Sequence, residues 1–151
     1  MEKLFDTSIP KMTINTSPMV TVNYGAHEAS KEEIKELWDT LGYDAEEPDE
    51  IFTAEHKFAY YRLYIPMGQW SRDGIVNAII RDKYRIDEME AITNNMAAIN
   101  AAFMQTLVAE GIVAATKYLK DSINDENTAR FKEMQEWRAM AKKVASEIIK
   151  E

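Results

Sequence analysis

Apolar residues fall along this chain in two rhythms. From Ser30 onward they recur every three or four residues, whereas ahead of it they alternate. Met19-Val-Thr-Val-Asn-Tyr24 has the period-2 pattern of a strand, and Met12-Thr-Ile14 reads as a shorter one, with Asn15 to Pro18 as the turn. Pro10 and Pro18 bar a helix interior here, and the Ser, Thr and β-branched residues favour extended backbone. Gly25 closes this opening arm.

Helical spacing then takes over. Ser30 with Glu33 forms a capping box, and Ile34, Leu37, Trp38 and Leu41 make one apolar stripe that Gly42 stops. Pro48 is placed to open a second, aromatic helix over 48–64, with Phe52, Phe58, Tyr60, Tyr61 and Tyr64, closed by Pro66 and Gly68. Ser71 caps a third helix to Lys83 that buries Ile75, Val76, Ile79 and Ile80. Asp87 caps a long Ala-rich helix through Met89, Ile92, Met96, Ile99, Phe103, Leu107 and Val108. Gly111 kinks it, or ends it ahead of a further helix to Lys120. Asn124 or Asp125 caps the last helix, where Met134, Trp137, Ala141, Val144 and Ile148 follow the a/d spacing of a helix that pairs with another. The pattern predicts a mainly α fold: a helical bundle of about five helices with an N-terminal extended arm or short β-hairpin. It divides into an arm, 1–25, and an α-helical domain, 26–151.

Composition narrows the function. At 151 residues with 46% apolar side chains the chain can bury a core. It has no cysteine, which excludes disulfides, Cys-ligated zinc and thiol catalysis and suits a reducing compartment. No signal-peptide pattern opens it, so a cytoplasmic location is expected, the host cytoplasm or a virion if phage-encoded. The weakly polar stretch Met96 to Thr116 is interrupted by Asn100, Gln105 and Glu110 and reads as a buried helix, not a membrane span. The net charge of −8 is concentrated in residues 26–56, where eleven acids face Lys31 and Lys35. A solvated, solubilising segment is the plain reading, and docking onto a basic partner the sharper one.

Candidate chemistry is sparse. His27 and His56 lack a second His or a carboxylate at metal-ligand spacing on a helix. Across Asp44 to Glu55, Pro48 occupies a calcium-ligand position and Asp49 stands where the loop needs Gly. Met67-Gly-Gln-Trp-Ser-Arg-Asp-Gly74 joins Trp70, Arg72 and a helix N-terminus that could hold an anion, or is simply a capped connector. The aromatics of the second helix, with Lys57 and Arg62 between them, could stack bases, but their acidic flank opposes a phosphate backbone. No catalytic residue, cofactor or metal is expected, nor direct nucleic-acid or membrane binding.

Tyr84-Arg-Ile-Asp-Glu-Met-Glu-Ala-Ile-Thr-Asn-Asn95 and Phe131-Lys-Glu-Met-Gln-Glu-Trp-Arg138 resemble segments of small virion and assembly proteins of tailed phages infecting gut Bacteroidales. The resemblance implies a structural role without catalytic residues. Sequence reasoning therefore leads to a non-enzymatic assembly protein, a homo-oligomer joined through its arm, alone or with other assembly proteins. Met19, Val20, Val22 and Tyr24 would contact the neighbour, with Trp70, Trp137, Val144 and Ile148 as further interaction residues. The alternative is an acidic inhibitor or adaptor that binds a basic host protein through residues 28–55.

Overall fold

The alternation at Met19–Tyr24 becomes the spine of a four-stranded antiparallel sheet. A computed structural model describes residues 1–43, 46–123 and 125–150. Its strands are β1 (Glu2–Asp6), β2 (Thr13–Thr16), β3 (Met19–Glu28) and β4 (Phe58–Pro66), in the order β1-β4-β3-β2. The helices among the described residues are α1 (Lys31–Thr40), α2 (Glu50–Glu55), α3 (Arg72–Lys83), α4 (Ile86–Glu110), α5 (Ile112–Ile123) and α6 (Glu126–Ile148). Asp44, the first residue of the window weighed for calcium, and Asn124, one of the two expected caps, lie outside the described residues.

This corrects the expected mainly α bundle with a hairpin: the fold is mixed, helices packed on a full sheet. The expected aromatic helix over 48–64 accounts for the difference. Only Glu50–Glu55 is helical; it starts after Pro48, with the Asp49 carboxylate capping it through the Phe52 amide at 2.7 Å. From Phe58 the chain extends, because a run of aromatic and branched residues fits a pleated surface flanked on both edges better than a helix. β4 lies between β1 and β3, with Leu63 opposite Val22, Ile65 opposite Val20 and Tyr61 opposite Tyr24.

The arm is correspondingly less separate than its sequence suggests. β3 continues through Gly25 to Glu28, paired with β4 on either side of Gly25 and, over Met19–Val22, with β2 as well. A register shift between Tyr24 and His27 marks a bulge. Gly25 sits there at φ 65°, and a Cβ in its place would come within 3.2 Å of the Tyr61 ring. Asn23, buried on the opposite face from Val22, donates from Nδ2 to the Lys11 carbonyl at 2.7 Å and accepts from Arg62 Nε at 3.0 Å. Those two bonds satisfy a polar group that burial would otherwise penalise.

One face of the sheet holds the main core. Val22, Tyr24, Leu63 and Ile65 pack against Ile75 and Ile79 of α3 and against Ala141, Val144, Ala145 and Ile148 of α6. The heptad-like spacing of α6 thus serves its own chain: the partner helix is α3, and the sheet lies beneath both. Two smaller cores flank it. Ile34, Trp38 and Phe52 join α1 to α2, and Tyr84, Ile92 and Met134 join the base of α4 to α6.

Candidate assembly surface

Each residue singled out in the sequence has a place in this frame. Val20, Val22, Tyr24, Val144 and Ile148 are buried within the chain, and Met19, Trp70 and Trp137 are half-buried. Trp70 and Trp137 pack against the main core. Tyr24 donates its hydroxyl to Asp82 Oδ2 at 2.8 Å, and burial together with that carboxylate pushes its ionisation well above the usual tyrosine range. Arg72 donates to Ser146 Oγ at 3.0 Å, so the Trp70 loop is fastened to α6. Val22, Tyr24, Val144 and Ile148 meet in the main core, with Trp70 and Trp137 at its margin.

The histidines are held locally. His56 rests on Phe52, ring centroids 4.1 Å apart, with Nδ1 2.8 Å from the Phe52 carbonyl oxygen. His27 Nε2 lies 3.1 Å from Glu33 Oε1. Partial burial disfavours the Glu33 carboxylate, but Lys3, the Ser30 amide and His27 donate to it and hold its pKa down at about 2. This clasp ties β1 and the β3 exit to the start of α1. Among the described residues no three His, Asp or Glu side chains form a metal-ligand group.

The surface that stands out was expected to be interior. α4 and α5 form an antiparallel hairpin, and the stretch Met96 to Thr116 that reads as a buried helix makes up most of its outer half. At 1.5 Å per residue, the 25 residues of α4 span about 37 Å. Its base is fixed: Ile92 and Met89 reach Tyr84 and Met134, Asn95 Nδ2 donates to Asn127 Oδ1, and Arg130 bridges Glu88 at 3.2 Å. Beyond that base Ile92 is the last buried residue of α4, and α5 buries only Ala115. Gly111, at φ 85°, ends α4 and starts α5, so the choice between kink and stop resolves as a stop.

Large apolar side chains crowd this tip in the open. Val108 is 84% exposed, Val113 82% and Ile112 72%, with Met104, Leu119 and Ile123 also exposed along the hairpin. Between Glu90 and Glu110 no residue carries a charge. Scattered apolar surface residues are ordinary, but three this exposed between residues 108 and 113 make the tip a candidate contact surface. The whole chain exposes 10147 Å². A folded monomer of 17.4 kDa is expected to expose about 7,900 Å².

Sequence reasoning missed this surface because it read the apolar residues of α4, Val108 among them, as buried together. Ala97, Ala101, Met104 and Val108 lie on the outer side of α4, and a helix apolar all round is normally enclosed. The available signal was that excess: α4 has more apolar residues than one neighbouring face can cover. Among the described residues no helix is long and apolar enough to cross a membrane. Comparison with protein-family models, curated proteins and solved structures returned no match.

Proposed function

We propose that the protein is a non-enzymatic structural component that assembles with copies of itself, and that the α4–α5 hairpin is its joining surface. The observation that carries this reading is the uncovered tip, where Val108, Ile112 and Val113 face water with no cover from their own chain. Burying one such side chain stabilises by about 1.5–3 kcal/mol, so several of them at one tip favour association strongly. The N-terminal arm is a weaker candidate than its sequence suggests. Val20, Val22 and Tyr24 already fill the interior, and β3 has hydrogen-bonded neighbours on both edges.

A virion or assembly role in a phage is the concrete version. The two stretches resembling tailed-phage virion proteins, 84–95 and 131–138, supply Tyr84, Ile92, Phe131, Met134 and Trp137 to the small core that anchors the hairpin. That convergence supports the reading, since a projecting joint needs a rigid root. Sedimentation of the full chain is the test. A species heavier than the 17.4 kDa monomer, dispersed by V108K together with V113K, is expected. A monomer at every loading concentration overturns it.

A further inference from the structure

The outer side of each hairpin helix has its own regular stripe. On α4, Ala97, Ala101, Met104 and Val108 are exposed and spaced 4, 3 and 4 residues apart. On α5, Ile112, Thr116, Leu119 and Ile123 are exposed with the same spacing. This is the a/d rhythm of helices that pack at a shallow angle, knob into hole. In α6 the same rhythm is answered by α3 and the sheet; in the hairpin no described residue of this chain buries it.

We infer that α4 of a second copy covers the α4 stripe, the two α4 helices running antiparallel about a twofold axis between Ala101 and Met104. The inference rests on the assembly reading above and specifies its partner and geometry. Three observations select a second copy. The first is area: over its whole surface the chain exposes roughly 2,300 Å² beyond the globular expectation, room for the about 800 Å² that a stable pair needs from each partner.

The second is charge. A chain of net charge −8 repels its copy, and 26–56 holds most of the acids. The α4 stripe lies wholly within the uncharged stretch between Glu90 and Glu110, the surface on which two copies meet without like-charge contact. The third is shape. The small residues Ala97 and Ala101 occupy one half of the stripe, and the larger Met104 and Val108 the other. Antiparallel pairing sets Ala97 against the copy's Val108 and Ala101 against its Met104, small against large. Parallel pairing sets Ala on Ala and Met on Met, with voids at one end and crowding at the other.

The absence of cysteine makes the geometry directly readable. Full-length A97C chains and V108C chains are mixed and oxidised, and each variant is also oxidised alone. The mixed A97C–V108C disulfide dimer is expected, with V108C alone remaining unlinked because its two copies stand at opposite ends of the seam. Efficient linking of V108C to itself reports a parallel arrangement and overturns the inference. An assembly seen by sedimentation but unlinked in both the mixture and the single variants overturns it while leaving the assembly reading intact. A chain that sediments as a monomer removes both.

Discussion

The indole nitrogen of Trp137 donates to the main-chain oxygen of Ile79 at 3.0 Å, fastening α6 to α3 from within one chain. Its ring also carries Lys83, whose Nζ lies 4.5 Å from the ring centroid and 2.6 Å from Glu133 Oε1. Burial works against that ammonium, but the Glu133 hydrogen bond keeps it charged to higher pH than an ordinary lysine. A residue chosen from its sequence as an intersubunit contact is thus a fastener of the fold. W137F is expected to lower stability by about 1–2 kcal/mol, through one lost hydrogen bond and a smaller ring, without altering the assembled mass. Chemical denaturation beside sedimentation checks both halves. Loss of assembly with unchanged stability contradicts the assignment.

The clasp at Glu33 predicts an acid-sensitive fold. The folded carboxyl titrates at about 2 and the unfolded one at about 4.5, so the clasp contributes fully above pH 4.5 and is lost as pH falls toward 2. Lys3 is the cation that faces it, and His27 Nε2 lies 3.1 Å from its Oε1. E33Q is expected to cost on the order of 1 kcal/mol at neutral pH, after solvent screening, and to flatten the acid limb of the stability curve. Parallel acid limbs for the two proteins argue that the clasp adds nothing.

Gly25 tests the bulge. Its φ of 65° and the 3.2 Å approach to Tyr61 both resist a side chain, and Tyr61 leans in turn on Tyr24 and Trp137. G25A is expected to destabilise by about 1–2 kcal/mol, a left-handed backbone penalty plus displacement of a packed ring. An unchanged melting temperature would mean that the bulge relaxes without strain.

These residues also show how far the sequence was legible. α1, α3 and α6 could be read because each buries one apolar stripe and leaves the opposite face polar, and Ser30, Ser71 and Asp125 cap them as their side chains suggest. β4 could not, because Ala59 and Tyr60, consecutive residues on opposite faces, are both buried. A strand covered on both sides loses its alternation, and Pro48 nearby offered a helix start that absorbed it. The candidate surface was hidden for the converse reason. An apolar helix and a helix awaiting a neighbour have the same pattern, and only the fold tells which faces stay open.

Ionic strength separates the two surfaces that could join this protein to others. α1 presents exposed Glu32, Glu36 and Asp39, although Lys35 already bridges Asp39 at 3.1 Å. An interaction through that face weakens as salt screens it, whereas contact through Met104, Val108 and Leu119 holds or strengthens as apolar burial does. Assembly is therefore expected to persist in high salt and to be indifferent to E32K combined with E36K. By contrast V108K with V113K, at positions with no interior contacts to lose, disperses it while changing the stability of the isolated chain by no more than about 0.5 kcal/mol. Dissociation by salt, with the charge reversals acting in place of the hairpin lysines, moves the joining surface from the hairpin to α1.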